Sequence, residues 1–351
     1  MGITDFVKFR IEDYKLMRNY YPNISVFKKI VYCWKKYKFQ KKYNFAHVEF
    51  FELNLGERSE KEDIAYIYPR KLQAELYRKV NQECMWAITK DKFASYVVLK
   101  DFYKREACAY NPSPNSFVEE YYAHYDWKND ILRFLNTHNS YIIKPLAEAC
   151  GRGIRIVHKE MLDEKPEMLL NSYMNDYPDG FIIEELIRQH DFIDKFNPDS
   201  VNTIRVICFN LSDCGRGVEV KYPYLRIGRQ GAFVDNISSG GIGVLLDTET
   251  GNMGLALDGR ANMFSEHPDS HVKFEGKIPL WNDFIETAMK VAKAMPKLKI
   301  AGLDLALDYE RGWTLVEINV EPEIGIPQAA VGCGIKEYME SFAHVCGVDK
   351  E

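Results

Sequence analysis

The chain has no run of about eighteen apolar residues, so no membrane-spanning helix is expected. Its opening, MGITDFVKFRIEDYK, has neither the apolar core nor the small-residue cleavage site of a secretory signal. Asp5-Phe6 after Gly2 is a poor match to a myristoylation signal. Eight cysteines, at 33, 84, 108, 150, 208, 214, 333 and 346, form no Cys-x-x-Cys pair. With the few histidines scattered, this argues against a Cys/His zinc site and for reduced thiols in a cytoplasm. A glycine-rich strand–turn–helix is also missing, which excludes a Rossmann start and a P-loop. Between Tyr14 and Val48 there is no Asp or Glu at all.

What remains is a globular composition: 351 residues, 46% hydrophobic, 28% charged, with a formal net charge of −5. Nothing global points to nucleic acid, and none is expected as a partner. The acid-free stretch is different. Lys15, Arg18, Lys28, Lys29, Lys35, Lys36, Lys38, Lys41 and Lys42 are interleaved with Tyr32, Trp34, Tyr37, Phe39 and Tyr43. Such a segment is a helical lobe with solvated lysines and packed aromatics, a surface for anionic lipid or a lipid-linked anionic substrate, or an RNA-binding surface. The second alternative places the protein at the inner face of the membrane as a peripheral component.

The first sixty or so residues read as mostly helical, with Val26, Phe27, Ile30, Val31 and Trp34 at helical spacing. Ser59-Glu60-Lys61-Glu62 has a capping-box pattern, and a helix is expected from Pro69 to Val80. Another opens near Ile88–Phe93, with Thr89 or Asp91 as N-cap and Lys92 as a cation at its start. Then comes Ser140–Pro145, a strand carrying Lys144, followed by a loop with Gly151-Arg152-Gly153 and a second strand. Backbone N–H groups of such a turn can cradle phosphate oxygens. Phe181–Ile187 is an apolar strand broken by Glu184 and Glu185. Thr203–Phe209 alternates, with Arg205 on a face with Thr203 and Ile207, where an arginine needs a fixed anionic partner. A strand over 218–227 carries Arg226, and Asp235–Gly243 is a donor-rich flexible loop. Residues 247–276 read as peripheral hairpins, and Trp281–Ala294 as a helix with a Phe284, Ala288, Val291, Ala292 stripe.

The stretch Lys299–Ile326 reads as a hairpin. With Tyr309–Gly312 as a four-residue turn, Asp308 faces Trp313, Asp304 faces Glu317, and Gly302 faces Asn319. Leu303/Ile318 and Leu305/Val316 then pair on the core side. Asp304, Glu317 and Asn319 converge beside a small glycine, a cradle suited to Mg²⁺.

The order of these signals resembles the ATP-grasp superfamily. Through Asn202-Thr203-Ile204-Arg205, Asp235–Gly241 and Glu317-Ile318-Asn319 it is most similar to the sugar-transfer-associated branch linked to cell-surface polysaccharide biosynthesis. The resemblance covers roughly 85–335. It implies an α+β fold whose two lobes clasp ATP between antiparallel sheets. The expected division is a basic helical region at 1–84, an ATP-grasp domain at 85–335 and a C-terminal helix or tail at 336–351. Within that domain the nucleotide lobe spans about 90–190 and the metal lobe 191–335.

It further implies that Lys92 and Lys144 contact the α- and β-phosphates while Gly151, Arg152 and Gly153 close over them. Glu184, Glu185 and the chain to Leu186 would hold adenine, and Asp191 the ribose. Asp304, Glu317 and Asn319 would bind two Mg²⁺, Glu317 bridging. Arg205, with Arg226 and Asn236 as further candidates, would contact the γ-phosphate or an acyl phosphate. The implied activity is ATP-dependent ligation of a carboxylate to an amine through an acyl phosphate, with no protein nucleophile at Cys150 or Ser238-Ser239. The alternatives are a kinase acting on a sugar or polyol hydroxyl, and a non-catalytic nucleotide-binding scaffold. The glycine loop departs from the family pattern by carrying Glu148 and Cys150.

Overall fold

The computed structural model describes residues 13–43, 45, 48–57, 67–146, 151–158, 165–329 and 335–348. The expected capping box at 59–62, and Glu148 and Cys150 of the glycine loop, lie outside the described residues. Two sheets organise the rest. Strands β1 (Ala107–Tyr110), β2 (Ser140–Pro145), β3 (Arg155–His158) and β4 (Phe181–Glu185) pair antiparallel in the order β1-β4-β2-β3. Tyr141, Ile143, Phe181 and Ile183 turn to one side, where helices Trp127–Thr137 and Pro166–Asp176 cover them. The period of two then sends Ile142, Lys144 and Glu184 to the opposite side.

The larger sheet comprises β5 (Ile204–Leu211), β6 (Gly217–Ile227), β7 (Ile242–Leu246), β8 (Met253–Asp258), β9 (Met263–Phe264), β10 (Ile300–Asp308) and β11 (Gly312–Asn319). Its order is β11-β10-β5-β6-β7-β8-β9, again antiparallel. Val206 and Cys208 of β5 join the core with the Phe284, Ala288 and Val291 stripe of helix Trp281–Ala294. Ile207 and Phe209 face the other way, beneath helices Arg70–Val80 and Ile335–Val345. Phe209 meets Phe342 there edge to face, centroids 4.9 Å apart. Toward the start of β5 the same face changes from Phe209 and Ile207 to Arg205. One face of the sheet is therefore sealed by helices at one end and charged at the other.

The hairpin confirms the expected register where the carboxylates lie and departs from it near the turn. Gly302 pairs with Asn319, Leu303 with Ile318 and Asp304 with Glu317. Beyond a bulge, however, Leu305 pairs with Leu315, Leu307 with Trp313 and Asp308 with Gly312. The expected Leu305/Val316 and Asp308/Trp313 pairs do not form. The physical reason is a three-residue loop, Tyr309–Arg311, in place of four, with Gly312 at φ +68°. Asp308 Oδ1 holds this loop, accepting from Glu310 N and Arg311 N, both at 2.9 Å. Val316 is the extra residue that restores the register. The space over Gly302 is also not open: an added Cβ would lie 2.7 Å from Pro322 Cβ.

Two further expectations resolve locally. Asp91 is the N-cap, accepting from Phe93 N at 3.0 Å and Ala94 N at 2.9 Å, whereas Thr89 ends the preceding helix Glu83–Lys90. In the basic N-terminal segment Tyr32 and Phe39 are buried, but Trp34 and Tyr37 are exposed. The buried set, with Met17, Phe50 and Phe51, packs against Tyr224, Leu257 and Ile326 of the larger-sheet lobe.

Helix Arg70–Val80 is fastened to the hairpin by Asn81. Its Nδ2 donates to Ile300 O (2.9 Å) and Val320 O (3.1 Å), and its Oδ1 accepts from Lys299 N (2.8 Å) and Ile300 N (3.1 Å). Asn81→Ala strands these buried backbone groups, at about 1–3 kcal/mol for each one left unsatisfied. We expect a loss of about 3 kcal/mol in urea unfolding; an unchanged midpoint would refute the clamp.

Candidate active site

A cleft of about 300 Å³ lies between the sheets. The smaller-sheet side contributes Lys92, Lys144, Gly151, Arg152 and Glu184, with Ile142, Ile154 and Ile156 as an apolar wall. Across from them stand Arg226, Asn236, Asp304 and Glu317. Glu185 and Leu186 also line it, whereas Gly153, Asp191, Arg205 and Asn319 do not.

The two expected cation positions sit on the cleft side for identifiable reasons. Lys144 extends from β2 and donates to Glu184 Oε2 at 3.0 Å. Lys92 begins its helix beside Asp91 and donates to Leu146 O at 3.2 Å. Burial pushes the Lys92 pKa down, opposed by the Glu317 carboxylate across the cleft. Gly151 and Gly153 both have φ near +70°, where a side chain is strained. A Cβ on Gly151 would lie 2.5 Å from Val234 Cγ1, so this loop closely approaches the opposite wall.

Glu184, to which the resemblance gives an adenine role, lines the cleft already paired with cations. Its Oε2 accepts from Arg105 Nε (2.9 Å), Arg105 Nη2 (2.6 Å) and Lys144. Burial alone would raise this carboxyl, but Arg105 and then Lys144 bring it down to about 2. Arg105 continues to Leu315 O at 2.6 Å and so joins β4 to β11. Glu185 points elsewhere, accepting from Glu106 N (2.7 Å) and Arg311 Nη2 (3.0 Å). Asp191 is exposed and off the cleft; Asp194, three residues on, lines it instead.

The opposite wall is a chain of buried charges. Arg205 and Asp304 face each other on neighbouring strands. Arg205 Nε and Nη2 each lie 2.5 Å from an Asp304 oxygen. Arg226 reaches Asp304 Oδ2 at 2.9 Å and Asp235 Oδ1 at 2.6 Å, and also donates to Asn236 Oδ1. Asp235 accepts from Thr203 N (2.9 Å) and Thr203 Oγ1 (2.5 Å). Burial would raise Asp304, yet Arg205 and Arg226 hold it low. Arg205 is thus behind the wall, committed to Asp304, while Arg226 faces the cleft.

Glu317 is the contrast. Its side chain has no hydrogen bond or ion pair among the described residues, and burial together with Asp304 pushes its pKa up. Asn319, two residues on, has a buried side-chain nitrogen without a partner in the described structure. Asp304 Oδ1 accepts one bond and Oδ2 two, leaving acceptor capacity on a group with about four lone-pair positions. No group of three or more His, Cys, Asp or Glu is placed to hold a metal among the described residues. The set is instead two carboxylates and an amide, a donor set that fits a hard, oxygen-seeking cation.

The loop 235–240 separates this cleft from a second cavity, of about 620 Å³. Asp235 and Asn236 face the first; Ile237, Ser238 and Gly240 face the second, opposite Tyr20, Arg70 and Arg260. Arg70 is paired with Glu52 and Glu323, each at 2.9 Å. Arg260 is exposed, 5.8 Å over the Tyr20 ring, with no ion pair among the described residues.

Two antiparallel sheets facing a cation-lined cleft, with Asp and Glu-x-Asn on paired strands, define an ATP-grasp fold. The profile of the sugar-transfer associated ATP-grasp family matches residues 71–344, and the chain belongs to that family. No curated protein matches it. Among solved structures it is similar to the VanG D-Ala:D-Ser ligase of Enterococcus faecalis, at 14% identity and TM-score 0.44, over 76% of this chain and 62% of that one. The D-alanine-D-alanine ligase of Helicobacter pylori gives 15% identity and TM-score 0.43, over 74% and 61%. The ATP-grasp ligase PsnB complexed with minimal precursor gives 12% and 0.43, over 76% and 64%. The chain thus spans somewhat less than two thirds of each of these proteins.

Sequence reasoning missed Arg105 and Asp194. Arg105 sits in Lys104-Arg105-Glu106, which looks like a solvated turn; the usable signal was Glu184, a carboxylate inside an apolar strand that had to find a cation. Because the Glu184 pKa is depressed, its stabilising contribution is full above the unfolded value of 4.5 and is lost as pH falls toward 2. On the order of 3 kcal/mol is involved. The stability advantage of the wild type over Glu184→Gln, measured by urea unfolding, should shrink steadily below pH 4.5. An advantage independent of pH would contradict the assignment.

Proposed function

We propose that the protein is an ATP-dependent ligase that joins a carboxylate to an amine in the biosynthesis of a cell-surface polysaccharide or sugar conjugate, on the cytoplasmic side. The observation that carries this reading is Glu317: a half-buried carboxylate whose side chain has no partner among the described residues, beside Asp304 and Asn319 and across the cleft from Lys92. Such a group is costly to bury unless a cation is to meet it. Family membership supplies the nucleotide.

In this reading adenine lies against Ile142, Ile154 and Ile156, with the chain at Leu186 along its edge and Asp194 near the ribose. Lys92 and Lys144 place positive charge on the α- and β-phosphates, and the N–H groups at Gly151–Gly153 close over them. Asp304, Glu317 and Asn319 would hold two Mg²⁺, which when bound would neutralise charge on the transferring phosphoryl group. The substrate carboxylate attacks the γ-phosphorus, the bond to the bridging oxygen breaks, and ADP leaves. The amine then attacks the acyl carbon, phosphate departs, and the amine gives up a proton. Arg226 and Asn236 face the position where negative charge gathers, and Arg205 is a positioning residue that holds Asp304.

The reacting carboxylate lies in the cleft at Arg226 and Asn236, and the rest of that substrate extends past the 235–240 loop into the second cavity, where Arg260 offers a guanidinium to an anionic group on it. The basic segment 14–48 supports an anionic membrane surface or lipid-linked substrate as the partner.

ADP release screened against amino acids, uronic acids and amino sugars tests the reading, with hydroxylamine replacing the amine. A hydroxamate is expected; a stable phosphomonoester instead would make the protein a kinase. Glu317→Gln should lower turnover by at least about 10²-fold while nucleotide binding persists in calorimetry, and wild-type turnover would remove Glu317 from the site. Arg260→Gln should raise the KM of the carboxylate substrate about tenfold with that of ATP unchanged. An equal rise in both would move that part of the substrate elsewhere.

A further inference from the structure

Helix Val26–Tyr43 has two apolar sides. Tyr32 and Phe39 face inward, with Lys36 fully buried between them and paired to Asp13. At 3.6 residues per turn, Val26, Phe27, Ile30, Val31, Trp34 and Tyr37 fall on the opposite side. There they meet solvent, Phe27 at 76% and Trp34 at 58% exposure. Among the described residues no other helix shows more than one large exposed hydrophobic side chain. Tyr14 extends the patch, sharing a shallow groove with Val26, Ile30 and Trp34. A contiguous apolar stripe of this kind marks an interaction surface.

The charge around the stripe selects the partner. The helix contains no acid, and its last turn carries Lys41 and Lys42. Lys28 turns aside to Glu57 at 2.9 Å, and Lys35 to Gly56 O at 3.1 Å. Lys29 lines the shallow groove, Lys41 shares the outward side, and Lys38 stands 3.9 Å over the Trp34 ring. A nucleic acid would use the lysines and leave Val26, Ile30 and Val31 in water. A second copy of the stripe would bring lysines against lysines. A bilayer with anionic headgroups satisfies both components, apolar side chains at the acyl boundary and ammonium groups among the phosphates.

We propose that this helix lies flat on an anionic phospholipid surface, with Phe27, Ile30 and Trp34 inserted and Lys29, Lys38 and Lys41 at the headgroups. No described helix is long and apolar enough to cross a membrane, which fits an interfacial position. The proposal rests on the partner reading for residues 14–48 and is independent of the ligase reading. The same lobe lends Tyr20 and Glu52 to the second cavity, tying the docked surface to the substrate site.

The test is flotation of the full chain with vesicles of phosphatidylcholine alone and of equimolar phosphatidylcholine and phosphatidylglycerol. Binding is expected only to the anionic vesicles and should weaken with salt. Replacing Lys29, Lys38 and Lys41 by Gln should cost roughly fivefold per residue, about a hundredfold together. A Phe27→Ser, Trp34→Ser variant should lose binding while keeping the wild-type unfolding midpoint, since both side chains are exposed. Wild type left unbound by anionic vesicles, or bound as well after either set of changes, would overturn the proposal. So would a wild-type dimer in sedimentation that the Phe27/Trp34 variant loses, or RNA retention that this variant keeps. ADP release without vesicles examines the ligase reading separately.

Discussion

A carboxylate taken out of water has to be met by positive charge, and Asp304 is met by two guanidinium groups. The requirement fixes much of the larger lobe. Arg205 reaches Asp304 because β5 and β10 pair those two positions directly. Arg226 reaches it from β6 and carries the charge pattern on to Asp235, whose other oxygen takes the backbone and hydroxyl of Thr203. Three strands and the loop after β6 are thereby held in one relative placement at the cleft wall. Loss of any member strands another in a buried position, so the arrangement tolerates little slippage.

The two sides of the cleft treat their acids in opposite ways. Glu184 is overmatched by Arg105 and Lys144 and stays ionised far into acid. Glu317 has burial and Asp304 against it and, among the described residues, no direct partner for its side chain. The first arrangement aims a lysine and joins the lobes; the second keeps a carboxylate unengaged. A close-packed interior normally removes that kind of imbalance, so its persistence beside the cleft is the clearest sign of where a ligand belongs.

Much of this was legible in the chain because alternation is a strong signal. The faces of β2, β5 and β10 follow from counting by two, and Arg205 on an apolar face demanded an anion. The anion turned out to be Asp304 itself, a contact across strands that one strand cannot reveal. The carboxylate register was legible for a less direct reason: the shorter turn and the bulge at Val316 shift the pairing in opposite directions and offset each other. Asp191 failed against Asp194 because a short helix after β4 turns the first outward, and no periodicity is readable over one turn. Arg105 depended wholly on tertiary placement, and Gly302 on a proline twenty residues away.

The bulge divides the hairpin mechanically. On its turn side the smaller-sheet lobe is attached twice: Tyr103 and Arg105 bond to Thr314 and Leu315, and Arg188 and His190 bond to Leu307, Asp308 and Tyr309. On its other side stand Asp304 and Glu317. The two lobes are thus tied through the turn half, while the acidic half is framed by β5 and β6.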